Sequence, residues 1–208
     1  MADARTMVRR RAGLRLWLSA GWIVLIALAA LLAPWIAPKD PLAQDMFLGR
    51  LPPFWVQGAG PGFWLGTDSL GRDVLSRILH GARIAMVVAL VAGTLTCVIG
   101  ATLGLLAGFL RGWVDVVISR LIDIWMAFPP VLFSILLIAV LGPGLMSLII
   151  AIVVIDWTRF ARVVRAEAMT QGAMDYVASA QVAGRSRIGT MVTEILPNVL
   201  PTIVVLLT

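Results

Sequence analysis

The residues able to do chemistry are few and scattered. The single histidine, His80, has no carboxylate cluster beside it and no spacing of the kind that holds zinc. The single cysteine, Cys97, sits inside an apolar run, so neither a disulfide framework nor a paired redox motif can be built within the chain. The sequence has no GxxxxGKS/T phosphate loop and no GxSxG elbow. The glycine-rich QGAGPG at 57–62 is followed by no basic residue or helix start. No catalytic residue, metal or cofactor is therefore expected, and if nucleotide hydrolysis powers this protein, another subunit performs it. What remains are charges beside apolar runs. Asp115, Arg120 and Asp123 form one group, with Arg120 and Asp123 three apart and able to pair, and Asp156 lies three before Arg159. Charges in such places can serve a proton relay or simple ion pairing. Both groups can reach a membrane interface, which favours ion pairing and snorkelling.

The elements that must position these groups are read from composition. With 60% hydrophobic residues, 13% charged residues and a mean hydropathy of +0.96, the chain is more apolar than a soluble core could absorb. It reads as all-α and polytopic in a membrane, since its apolar runs reach helical spanning length and none alternates like a barrel strand. Spans are expected at about 16–37, 84–110, 119–141 and 145–161, with a fifth beginning near 198. The first run, Leu16 to Ala37, follows a basic stretch, but its length and its Ala-Pro-Trp-Ile-Ala-Pro ending favour a retained anchor over a cleaved signal.

Charge sets the orientation. Arg5, Arg9, Arg10, Arg11 and Arg15 precede the first span, Arg111 and Arg120 flank the turn near Gly112, and Arg159, Arg162, Arg165, Arg185 and Arg187 follow the fourth. A cytoplasmic N-terminus places all twelve on the same side. The net charge of +6 is thus explained by topology, and nucleic acid is discarded as a partner. The stretch 38–83 is then extracytoplasmic, rich in Pro, Gly and Trp, and reads as a packed cap whose tail from Ser69 is an amphipathic lead-in to the second span. Inside that span Gly100, Gly104 and Gly108 recur every four residues, a face on which another helix can approach closely. Pro129 and Pro130 are expected to kink the third span. The interval from Ala178 to Val199 is polar between two apolar runs and suggests a docking surface.

Two segments carry a family resemblance: WLGTDSLGRDVLSRILHGAR (Trp64 to Arg83) and DYVASAQVAGRSRIGTMVTEILPN (Asp175 to Asn198). Together with RGWVDVVISRLIDIWMAFPP and VLGPGLMSLIIAIVVIDWTRFARVVRAEAM, they resemble the second permease of ATP-binding cassette importers of the dipeptide, oligopeptide and nickel uptake branch. The resemblance implies a type I permease fold in a bacterial inner membrane, a second permease as heterodimer partner, two ATPases and an extracytoplasmic solute-binding protein. It also implies three segments: the N-terminus with the first helix at 1–37, an extracytoplasmic segment at 38–83, and a core at 84–208 that includes an ATPase-docking loop at about 162–197. In such permeases a Glu-Ala-Ala helix leads to a glycine and, twelve residues later, Leu-Pro. Here Tyr176, Ala178, Ser179, Ala180, Gly184, Leu196 and Pro197 occupy that pattern, with Ala178 in place of the usual glutamate. The basic Arg185 and Arg187 suggest an acidic partner groove. The external motif comprises Gly66, Thr67, Asp68, Gly71, Arg72 and Asp73, with a role either as a structural cap with local pairing or in receiving the binding protein. The family resembles a six-span protein, so a chain ending at Thr208 in the fifth span is expected to be a fragment. The alternative from a different class is an ion-gradient-driven transporter or channel working without an ATPase.

Overall fold

Long uninterrupted apolar runs satisfy their own backbone groups only as helix, and helices dominate the structure, a computed structural model that describes residues 13–208. Arg5, Arg9, Arg10 and Arg11 lie outside the described residues. Among those described, the only extended pairing is an isolated antiparallel bridge between Thr67 and Asp73. The chain forms two compact units, one up to Val87 and one from Val88 to Thr208.

The first unit contains α1 (Leu14–Ile36), a 23-residue helix about 34 Å long, and the turn-rich stretch that follows. Pro38, just beyond its end, cannot continue the helical hydrogen bonding. The second helix, α2 (Val74–Leu110), begins in this unit and runs for 37 residues, or about 55 Å. The lead-in and the second span expected from sequence are therefore one continuous helix. No proline interrupts 74–110, and the polar residues of its first turns leave the backbone bonding unbroken.

In the second unit α5 (Leu145–Gln171) is the hub. It packs against the glycine face of α2, against α3 (Gly112–Met126), against α4 (Pro130–Leu141) and against α8 (Leu196–Leu207). One core cluster joins Ala101 and Leu105 of α2, Val164 and Ala168 of α5, Val177 of α6 (Asp175–Val182), and Ile195, Val199 and Ile203 at the end of the chain. A second joins Ala107, Ile118, Ile122, Trp157 and Ala161.

Three expectations change. The Pro129-Pro130 pair does more than kink the expected third span: α3 and α4 are separate helices set at 85°. The cause is local, because the residue before a proline is driven out of the helical region. Pro129, itself followed by a proline, adopts φ −60°, ψ 122°, and Pro130 restarts the helix at its first turn, where a missing N–H costs nothing. Next, α5 runs past the expected end at 161. Its share of charge keeps it out of the helices long and apolar enough to cross a membrane: α1, α2 and the continuous stretch Arg187–Leu207, or up to four if the bent pair counts as one. Finally, the last helical stretch does not begin near 198. It starts at Arg187 as α7 (Arg187–Thr190), passes through a π turn at Met191–Ile195 and continues as α8. Pro197 lacks the N–H that would reach Thr193, and the wider turn, closed by Leu196 N–H to the Met191 carbonyl, accommodates that gap.

Candidate functional site

The segment from Asp175 to Pro197 is built as a short knob. Helix α6 buries one side chain, Val177, in the core between α2, α5 and α8. Tyr176 ties the same helix to its neighbours: its hydroxyl donates to Gln171 Oε1 at 2.8 Å and accepts from Asn198 Nδ2 at 3.3 Å. Ala178 is exposed, Ala180 half-buried, and the Ser179 hydroxyl is returned to the Asp175 carbonyl within the helix at 2.9 Å.

Gly184 ends α6 in the left-handed region at φ 86°. The Arg185 N–H reaches the Ala180 carbonyl at 3.2 Å and the Gly184 N–H reaches that of Gln181 at 3.0 Å, the paired bonds of a Schellman turn. Ser186 then caps α7 by accepting from the Gly189 N–H at 3.1 Å. The turn leaves large apolar side chains in the open, Val182 at 89% and Ile188 at 67% exposure.

Of the two arginines expected to meet an acidic groove, Arg185 is committed within the chain. Its guanidinium donates to Glu194 Oε1 at 2.6 Å and to the Thr193 hydroxyl. Arg187 is exposed and makes no ion pair among the described residues. Leu196 packs against the core, whereas Pro197 is exposed on the helix that follows the π turn.

The motif at 66–73 folds on itself. Asp68 is its centre: Oδ1 accepts from the N–H groups of Leu70 at 2.9 Å and Arg72 at 3.0 Å, while Oδ2 accepts from Arg72 Nε at 2.8 Å and from Arg77. Thr67 bridges the two arms of the cap, accepting from the Leu51 N–H at 2.8 Å and donating to the Leu48 carbonyl. Asp73 does not pair with Arg72. It caps α2 by accepting from the Ser76 N–H at 2.8 Å. Gly66 and Gly71 have φ of 75° and 72°, and a Cβ at either would strike backbone, the Leu51 and Asp45 carbonyls respectively. Both observations favour the structural reading of these residues.

Burial pushes the Asp68 carboxyl up, but the Arg72 and Leu70 N–H groups and the Arg72 side chain outweigh it and lower its pKa to about 2. A carboxyl whose folded pKa is depressed stabilises the fold above its ordinary value and loses that contribution as pH falls through the folded one. Tryptophan fluorescence from Trp55 and Trp64 is therefore expected to report an ordered cap at pH 4 and its loosening as pH approaches 2. Asp68→Asn should remove that step.

In the second unit the charged residues pair across helices more than along them. Arg165 of α5 makes a two-point bond to Asp115 of α3, with Nη2 at 2.9 Å from Oδ2 and Nε on Oδ1. Asp123 lies 3.8 Å from Arg162, so the expected Arg120–Asp123 pair is not formed. The α3–α5 packing brings Arg162 within reach, and Arg120 is exposed without an ion pair among the described residues. Asp156 and Arg159 approach as expected, at 3.9 Å. The Asp115–Arg165 pair is fifty residues apart in sequence, and no local spacing signals it.

Residues 100–208 match the family model described as binding-protein-dependent transport system inner membrane component. The chain is 41% identical over 187 residues to the dipeptide transport system permease protein DppC of Haemophilus influenzae, covering 90% of this chain and 63% of that one. It is 40% identical over 184 residues to the di/tripeptide transport system permease protein DppC of Pseudomonas aeruginosa, 88% and 61% of the two chains. To the glutathione transport system permease protein GsiD of Pectobacterium atrosepticum it is 36% identical over 189 residues, 90% and 61%. The chain spans about three fifths of the length of these curated relatives. On the helical architecture and these matches, the chain belongs to the family of binding-protein-dependent transport system inner membrane components.

Proposed function

We propose that the chain is a transmembrane permease subunit of an ATP-driven importer for short peptides, or for related small solutes such as nickel chelates, and forms half of the translocation pathway. Hydrolysis of ATP takes place on partner chains. A second permease, two ATPases and an extracytoplasmic binding protein complete the machine. The N-terminus and the knob at α6 and α7 face the cytoplasm, which agrees with the arginine distribution. The segments 1–37, 38–83 and 84–208 serve as anchor, extracytoplasmic cap and core.

The observation that carries this reading is the knob. Val182 and Ile188 stand exposed on either side of the left-handed turn at Gly184, while Val177 and Tyr176 fasten α6 to α5 and α8. A rigid apolar projection joined to the long helices is suited to fit a groove on an ATPase and to pass its motion on. The relatives' names, dipeptide and glutathione permeases among them, support the substrate class.

The test is co-purification of the full-length permease with its ATPase, comparing wild type with Val182→Asp and Ile188→Asp. Both side chains are exposed, so the thermal midpoint of the permease itself should move little, within about 0.5 kcal/mol of stability. ATPase recovery should fall about tenfold or more, the equivalent of 1.4 kcal/mol. Undiminished recovery in both variants would remove the docking role. Uptake by this chain alone in ATP-free vesicles would favour the gradient-driven alternative.

A further inference from the structure

Midway along α5 two cavities open onto a pair of charges that are only loosely joined. Asp156 and Arg159, with side chains 41% and 78% exposed, approach to 3.9 Å, beyond hydrogen-bond reach. The contrast with the two-point Asp115–Arg165 bond on the same helix is sharp. On α2, Thr96 is only 2% exposed and its hydroxyl has no hydrogen-bond partner among the described residues. A helical threonine usually returns that hydroxyl to a carbonyl one turn back, so an orphan of this kind calls for a missing partner. Thr96, Asp156 and Arg159 line one cavity together with Gly93 and Phe160. The same Asp156 and Arg159 also line a second cavity at the α3–α4 elbow, walled by Trp125, Met126, Phe128 and Phe133.

We infer that this is a contact site for a short zwitterionic peptide, its α-ammonium on Asp156, its terminal carboxylate on Arg159 and an apolar side chain in the aromatic elbow. The two charges decide the class of ligand. A lone cation would satisfy Asp156 and strand Arg159, and a lone anion would do the reverse; a ligand carrying both signs replaces one long ion pair with two charge-assisted hydrogen bonds. A peptide carbonyl can take the orphan Thr96 hydroxyl. The assignment rests on the peptide-importer reading above and gives that reading a location.

The experiment uses the assembled full-length transporter, with Cys97→Ser and Met126→Cys placing a reporter thiol in the elbow and every other cysteine of the assembly replaced by serine. Maleimide labelling of Cys at 126 is followed with phenylalanyl-alanine and with the same dipeptide acetylated at its N-terminus and amidated at its C-terminus. Free dipeptide at saturation is expected to slow labelling about tenfold. The doubly blocked peptide should leave the rate unchanged, and Asp156→Asn or Arg159→Gln should abolish protection. Equal protection by free and blocked peptide, or none by either, overturns the site. If a charge variant fails to assemble, the comparison of free with blocked peptide on the unaltered pair decides alone. ATP-dependent dipeptide uptake by the same assembly in vesicles separates the two levels: uptake without protection removes the site and leaves the importer reading standing, whereas absence of ATP-driven uptake removes both.

Discussion

Gly104→Ala is expected to destabilise the second unit by about 1–3 kcal/mol, the usual cost of forcing an extra methyl into a filled interface. A Cβ at position 104 would stand 2.6 Å from the Ala161 carbonyl oxygen and 2.9 Å from Val164 Cβ. Neither neighbour can turn aside, because one is backbone and the other is held in the core. Gly100 and Gly108 meet α5 in the same way, against the Trp157 and Arg165 carbonyls, so larger residues there should separate the helices. The control lies on the same helix. A Cβ at Gly81 meets nothing within 4 Å, and Gly81→Ala should raise the unfolding midpoint slightly, since alanine favours helix by up to about 1 kcal/mol. Thermal unfolding of the purified protein in detergent measures both. Equal effects at 81 and 104 would show that helix propensity, and not close approach, governs this face.

Asp115→Ala is expected to be the more damaging change among the charged residues. It leaves Arg165, whose side chain is 29% exposed, without the carboxylate that holds both its Nε and Nη2. Breaking a fully buried pair costs about 3–5 kcal/mol, and partial exposure here brings the expected loss to about 2–3 kcal/mol. Removing both charges, in Asp115→Leu with Arg165→Met, should recover much of that, giving a coupling of at least about 1 kcal/mol in a double-mutant cycle. By comparison Asp123→Ala should be nearly silent, because Asp123 and Arg162 are 3.8 Å apart and more than half exposed. Additivity of the two single losses at 115 and 165 would show that the pair carries no interaction of its own.

The sequence made some of this legible and some not, for physical reasons. The Gly100-Gly104-Gly108 stripe predicted a close helix neighbour because residues four apart share a face. It could not name that neighbour, since the small residues opposite, Ala161 and Ala168, lie on a helix that also reads as a string of charges. The turn at Gly184 was legible from a helix-forming run that stops at a glycine. Hydropathy gave the lengths of apolar runs and no angles, so the 85° elbow at Pro129 required the rule that a residue before proline leaves the helix. Pairings such as Asp115 with Arg165 depend on which helix packs on which, and the local rule of three or four residues pointed instead to Arg120 and Asp123. The self-contained bonding of Asp68 lay closer to the surface of the sequence, in the alternation of Asp, Gly and Arg along 66–73, but the part played by Arg77 became visible only once α2 was in place.

The π turn at Met191–Ile195 has a geometric consequence for the helix it interrupts. One additional residue in a helical turn advances everything beyond it by about 100° around the axis. The side chains of α7 and those of α8 are thus set out of phase, which allows Ile188 to look outward at one end while Val199 and Ile203 look inward at the other. Deleting a single residue from 191–195 would restore a uniform pitch and swing the buried pair out of the core, even though every residue would remain helical. The bulge therefore works as an index mark: it fixes how far the outward end is rotated against the inward end of one continuous rod.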